Sequence, residues 1–192
     1  MGRASLGRID HFTLPTQLGW MAISGTERGI SQLTFGHSKE PSAVKALEDA
    51  VPIGHANWDW LTAVAQRLEQ YAAGELVDFA DIPVDLVAGT PFQEEVRVAL
   101  RKVPYGTTIS YLDLSIAAGR PRAARAVGGV MARNPVPLVL PCHRVTGSYG
   151  NLGGYSAPQG LEMKRRLLAM EESTLLRLQR SSGDGNVVTE QA

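Results

Sequence analysis

Residues 141–145 read Pro-Cys-His-Arg-Val, and Cys142 is the only cysteine among 192 residues. A lone thiol forms no internal disulfide and has no second cysteine with which to share a metal. It is either an inert core residue, as free cysteines commonly are, or a nucleophile. The thiolate is the reactive form, and a free thiol with a pKa of about 8.5 supplies only a few per cent of it near neutrality. A nucleophilic Cys142 therefore needs a base, and the base needs an acid to orient it. His143 is adjacent, and in extended backbone neighbouring side chains point to opposite faces, so a bridging water is the simplest path for the proton. Glu171 or Glu172 offers the orienting carboxylate. The other histidines, His11, His37 and His55, are scattered without ligand spacing, so no metal site is expected. They also give little support to a hydrolase whose histidine comes from far along the chain.

The elements that must position this thiol fall into two parts, with a boundary at the turn Ala88-Gly89-Thr90-Pro91. Residues 8–36 read as a hairpin or meander, with strand candidates at 18–24 and 30–35. Residues 37–56 are weakly patterned. Leu61, Val64, Ala65, Leu68 and Tyr71 recur at helical spacing, with Gly74 as a stop. The expected N-terminal domain, 1–88, is thus α/β, a small sheet plus a helix.

The second domain, 89–175, is expected to be mainly α. A helix at 92–102 carries Phe92, Val96, Ala99 and Leu100 on one face. A second starts at Ser110, with Asp113 completing an approximate capping box. A third runs over 122–133 behind Pro121 at its first position. The second and third, joined by a short glycine-bearing turn, form a helix-turn-helix candidate. Val136–Leu140 reads as a short apolar strand leading into Cys142, and a last helix spans about 161–172 with Lys164-Arg165-Arg166 on its polar side. Residues 176–192 read as a flexible tail.

Lys/Arg and Asp/Glu balance at 19 each, but unevenly. Residues 97–166 hold eleven basic against two acidic side chains, a net +9, which leaves −9 for the rest. A basic half is the footprint of a polyanion partner. No apolar run reaches the roughly 20 residues that cross a membrane, and the N-terminus lacks a signal-peptide stretch. One cysteine fits a reducing compartment. The expectation is cytoplasmic, or nuclear in a eukaryote, with no membrane partner.

The motifs Phe92-Gln93, Pro104-Tyr105-Gly106-Thr107, Ser110-Tyr111, Ala123-Ala124-Arg125-Ala126-Val127-Gly128, Asn134-Pro135, Pro141-Cys142-His143-Arg144-Val145 and Gly153-Gly154-Tyr155 stand in this order. Together they closely resemble the O6-alkylguanine-DNA alkyltransferases, specifically over 89–172 and more loosely before. The resemblance implies a ribonuclease H-like N-terminal domain and a helical C-terminal domain whose helix-turn-helix binds the DNA minor groove. It implies that O6-alkylguanine in double-stranded DNA, with O4-alkylthymine as a second candidate, is flipped out and dealkylated once per monomer, without a cofactor. By position Cys142 accepts the alkyl group, His143 takes its proton through water, Glu171 holds His143, and Asn134 braces the turn. Tyr111 polarises guanine N3 and touches phosphate, and Arg125 fills the gap left by the base. Ala123, Ala124, Ala126 and Gly128 allow close approach, and Met131, Val145, Gly153, Tyr155 and Ser156 shape the pocket. Arg144 reads as structural, paired with a carboxylate or backbone.

The chain departs from the family pattern at Arg97, where a Trp is usual, at Arg120, where an Asn often caps the next helix, and at the longer Ala157-Pro158-Gln159-Gly160 loop. It lacks the N-terminal cysteines that hold zinc in some relatives. Two rivals remain: a damage binder of the alkyltransferase-like kind, against which the cysteine argues, and a thiol acting on a small alkylated metabolite.

Overall fold

Glycines at φ +97 (Gly19) and φ +149 (Gly29) turn the chain between three alternating apolar segments. The result is an antiparallel meander, β1 (Phe12–Thr16), β2 (Gly19–Thr26) and β3 (Gly29–His37), in the order β1-β2-β3. The computed structural model describes residues 11–47 and 59–183; the expectations for residues 8–10, 48–58 and 184–192, His55 included, lie outside it. The central strand is buried on both faces. Met21 and Ile23 face the main core, while Ala22 packs with Ala43 and Leu47 under α1 (Glu40–Lys45). That short helix, begun by Pro41, lies in the segment whose sequence is weakly patterned.

Helix α2 (Asp59–Ala72) lays Val64, Ala65, Leu68 and Tyr71 on the sheet and ends where Gly74 takes φ +80. The crossing segment returns along β3, with Ile30 N donating to Pro83 O and Asp85 N to Ile30 O. Helix α3 (Pro91–Arg101) opens on a full capping box: Thr90 Oγ1 accepts from Gln93 N, and Thr90 N donates to Gln93 Oε1. Val96 and Leu100 bury its inner face.

Strand β4 (Ile109–Ser110) leads into α4 (Tyr111–Ala117), and Ser110 Oγ caps it by accepting from Asp113 N while donating to Asp113 Oδ2. Asp113 is one methylene shorter than the usual partner, and it answers the hydroxyl. Helix α5 (Ala124–Ala132) starts two residues later than its sequence suggests. Pro121 and Arg122 stay in the turn, because Ala123 offers no side-chain cap and Arg120 is drawn into a paired contact with Glu95. Strand β5 (Val145–Thr146) pairs parallel to β4 and ties the Cys142 segment to the helix-turn-helix.

Two further expectations are corrected. Val136–Leu140 is no strand: Pro137 interrupts it, Leu138 takes φ +71, and Leu140 N bonds back to Val136 O. The last helix, α6 (Leu161–Gly183), does not stop near 172. Its inner stripe of Met163, Lys164, Leu167, Glu171 and Thr174 is buried, and residues 176–183, read as tail, continue the helix. No helix among the described residues is long and apolar enough to cross a membrane.

Thr90→Ala removes the hydroxyl half of the capping box, the acceptor for Gln93 N, and is expected to lower stability by about 1 kcal/mol. Urea unfolding checks this, with the midpoint falling and the m-value unchanged.

Candidate active site

Asn134 organises the approach to the thiol. Its Nδ2 donates to Leu140 O at 2.7 Å and its Oδ1 accepts from Val136 N at 3.2 Å, so one side chain closes the irregular 136–140 turn. The chain then enters a 3-10 turn at Cys142–Arg144. In that geometry successive side chains diverge by roughly 120°, not the opposition expected of extended backbone. All three are buried.

Behind the turn lies a carboxylate removed from water. Glu171 Oε1 accepts from Tyr71 Oη at 2.7 Å, from His143 Nε2 at 2.9 Å and from the Arg144 guanidinium at 2.9 Å; Oε2 accepts from Gly106 N at 2.9 Å and Arg144 Nε at 3.1 Å. Burial alone would raise the Glu171 pKa, but the hydrogen bonds and charges of His143 and Arg144 reverse that and bring it down to about 2. Glu172 is exposed, so the structure favours Glu171 of the two candidates. Arg144 also donates to Val103 O at 2.7 Å, pairing with carboxylate and backbone alike.

Burial holds the His143 pKa below its ordinary value, against the pull of Glu171. The imidazole is therefore neutral at neutral pH, and the permanent charge facing Glu171 is that of Arg144. An ionised carboxylate only accepts, so the Nε2 facing it must carry the hydrogen. Nδ1, which has no protein partner among the described residues, is then a bare acceptor. The Cys142 thiol is pushed up by burial, opposed by a hydrogen bond from Asn134 and by the charge of Lys164. A neutral thiol beside a neutral imidazole with a free lone pair is a resting acid–base pair.

Cys142 opens on its other side into a cleft of about 640 Å³, lined also by Tyr111, Ala124, Arg125, Gly128, Met131, Ala132, Gly153, Gly154, Tyr155 and Ser156. Gly153 is required here: its φ is +69, and a Cβ would sit 2.6 Å from Tyr111 Oη. Ala132 and Gly154 are lining residues the sequence did not indicate. Val145 does not line the cleft; its side chain is fully buried in the core. Ala123 is half-buried and Ala126 exposed along the first turn of α5, outside the cleft, with Arg122, Arg125 and Arg133 exposed on the same helix pair. Among the described residues no three His, Cys, Asp or Glu side chains gather to hold a metal.

Two residues with a place in this site were read otherwise in the sequence. Lys164, grouped with the polar Arg165-Arg166, is fully buried and donates to Val145 O and Leu152 O at 2.5 Å each, joining the two ends of the loop beside the cleft. Tyr71 reads as one more core residue of a helical stripe, yet its hydroxyl reaches Glu171. At the departures from the family pattern, Arg97 pairs with Glu94, and the longer loop docks on the first domain through Gln159 Nε2 to Gly36 O.

Residues 91–173 match the family model described as 6-O-methylguanine DNA methyltransferase, DNA binding domain, and residues 11–86 match its ribonuclease-like domain. The chain belongs to the 6-O-methylguanine DNA methyltransferase family. It is 44% identical over 165 residues to a methylated-DNA–protein-cysteine methyltransferase of Mycobacterium leprae, covering 85% of this chain and 93% of the relative. The corresponding protein of Methanosarcina barkeri is 37% identical over 162 residues, 84% of this chain and 96% of its own. Among solved structures, Mycobacterium tuberculosis OGT in complex with DNA is similar at a TM-score of 0.68 and 34% identity, covering 84% and 92% of the two chains.

The buried network sets an acid limit to stability. His143 has its folded pKa below 6.5 and Glu171 has its own near 2 instead of 4.5. In each case the unfolded chain takes up the proton first. The contribution is whole above the unfolded pKa and is lost as pH falls. Stability should decline below pH 6.5 and again between 4.5 and about 2, the second step by about 3 kcal/mol. Urea melts across pH check this. Glu171→Gln should abolish the lower step and, by leaving Arg144 buried without its counter-charge, destabilise by about 3–5 kcal/mol at pH 7.

Proposed function

We propose that this chain is a methylated-DNA–protein-cysteine methyltransferase that repairs DNA by direct reversal. It turns an O6-alkylguanine out of the duplex and moves the alkyl group irreversibly to Sγ of Cys142. The observation that carries this reading is that the only thiol lies in a cleft walled by α5 on one side, with His143 and Glu171 behind it. A target atom inside a base stack is reached only by extrusion, which costs a few kcal/mol. Arg125, at the rim of the cleft, offsets part of that cost by filling the vacancy. Ala123, Ala124, Ala126 and Gly128 let α5 lie close to the minor groove without reading sequence, which suits a protein that must find damage anywhere. The exposed Arg122 and Arg133 add phosphate affinity.

In the cleft, the Tyr111 phenol polarises guanine N3. The thiol proton passes through a water to Nδ1 of His143, whose Nε2–H stays on Glu171. The sulfur attacks the alkyl carbon; the S–C bond forms as the C–O6 bond breaks, and that electron pair returns to the guanine ring. The guanine anion takes up a proton, so the hydrogen lost from sulfur is balanced on the base. Met131, Tyr155 and Ser156 surround the alkyl group. No cofactor is needed. Nothing regenerates the thiol from the thioether, so each monomer acts once. O4-alkylthymine, which presents the same alkyl–oxygen bond, is a second substrate.

Intact mass spectrometry after mixing with duplex DNA containing O6-methylguanine is expected to show a gain of one CH2 group, localised to Cys142. An unchanged mass refutes the proposal. Cys142→Ala should abolish transfer and retain DNA binding, measured by fluorescence anisotropy. Arg125→Ala should slow transfer from duplex DNA by roughly 10–100-fold, the loss expected when part of the extrusion cost is no longer offset, and leave transfer from the free O6-methylguanine base unchanged. Equal rates for wild type and Arg125→Ala on duplex, with no advantage of DNA over free base, would make a small alkylated molecule the substrate.

A further inference from the structure

The proton path needs one tautomer of His143, and the residue best placed to enforce it comes from the other domain. Tyr71 lies in the last turn of α2, fully buried, with its ring edge-on to Phe79 and Tyr105. Its hydroxyl is 2.7 Å from Glu171 Oε1 and 3.2 Å from His143 Nε2. Only one hydrogen is available on that oxygen, and burial next to Glu171 keeps the phenol protonated. If Tyr71 donated to His143, a bare Nε2 would face an acceptor-only oxygen 2.9 Å away with no hydrogen between them. The hydrogen therefore goes to Glu171, and Nε2 must bring its own. Nδ1 is left free for the thiol's proton.

The position of Tyr71 is itself fixed at a second point. Gly74 O, three residues on, accepts from Thr174 Oγ1 and from Arg177, and Thr174 stands three residues beyond Glu171 on α6. Two contacts, Tyr71 to Glu171 and Gly74 to Thr174, keep α2 and α6 in one register. We infer that Tyr71 is a positioning residue for the transfer reaction, holding Glu171 and through it the Nε2–H tautomer of His143, so that the N-terminal domain completes the proton path. This rests on the alkyl-transfer reading above.

The charged and titratable groups facing this cluster are Glu171 and Lys164 from α6, Arg144 and the Cys142 thiol from the 3-10 turn, Tyr105 after α3, and Tyr155 from the cleft loop. None of the others donates from the first domain to Glu171. Removing the Tyr71 hydroxyl leaves Oε1 less neutralised, so it attracts a protonated imidazole more strongly. The acid limb of the transfer rate, where His143 becomes protonated and can no longer accept, should then move to higher pH.

The test is single-turnover methyl transfer from O6-methylguanine duplex, followed by intact mass across pH, with the full-length wild type in parallel. Wild type that gains no CH2 group refutes the alkyl-transfer reading itself. Given transfer by wild type, Tyr71→Phe is expected to be slower at neutral pH by about tenfold, a share of the roughly 10²–10⁴-fold that a well-positioned proton acceptor supplies. Its acid limb should rise by roughly half a unit or more, with DNA affinity unchanged. A variant folded by thermal melt but with wild-type rate and limb overturns the inference. Should Tyr71→Phe fail to fold, 3-fluorotyrosine at position 71 keeps the bond and strengthens the donor. It should move the limb to lower pH, and no movement overturns the inference equally.

Discussion

Glu171 is a full negative charge with no access to water, and such a charge persists only where donors replace its hydration. Four groups do so: the Tyr71 phenol, the His143 imidazole, Arg144 through Nε and Nη2, and the Gly106 amide. They come from α2, from the loop after α3, and from the turn that carries the thiol. Meeting that one requirement fixes where α6, the 3-10 turn and the first domain stand relative to one another. Gly106 can approach because it has φ +71 and no Cβ, which would sit 2.2 Å from Leu175 Cδ1. Burial keeps the imidazole neutral against the charge of Glu171, and the same bonds decide which of its nitrogens is bare.

The cleft side of the turn has a different constraint. A thiol whose pKa is raised by burial is a poor nucleophile towards passing electrophiles. On the alkyl-transfer proposal this protects a single cysteine that is consumed once, its proton leaving only toward the bare Nδ1. Small residues carry the geometry. Gly153 gives room for the Tyr111 hydroxyl, and Gly128 faces the same ring at ordinary contact distance. The net +9 of residues 97–166 is less available than it looks, because Arg97, Arg120 and Arg165 pair with Glu94, Glu95 and Glu162, while Arg144 and Lys164 are buried. What remains exposed is concentrated around α5.

Much of this was legible in the chain. Cys142, His143, Asn134 and Tyr111 lie in motifs whose order alone indicates the family, and the helical stripe ending in Tyr71 predicts the C-terminal end of α2 to within a residue. Local pattern failed where a distant partner decides. Apolarity suggested a strand at 136–140, but Asn134 supplies the bonds that a neighbouring strand would have given, and Pro137 and Leu138 bend the segment. Lys164 follows its neighbours in type but not in direction, since two carbonyls from the loop beside the cleft draw it inward. Tyr71 is marked as buried by its spacing, yet nothing nearby shows that its hydroxyl has a carboxylate partner 100 residues away.

The central claim is that burial keeps His143 neutral while an ionised Glu171 holds its hydrogen on Nε2. Nitrogen-15 NMR of the labelled imidazoles in the full-length protein, with His143→Gln for assignment, measures this directly. The account predicts for His143 at pH 7 one protonated nitrogen, Nε2, coupled to a slowly exchanging proton, and an unprotonated Nδ1, with this pattern persisting below pH 6.5. A hydrogen on Nδ1, or an imidazolium at neutral pH, would contradict it.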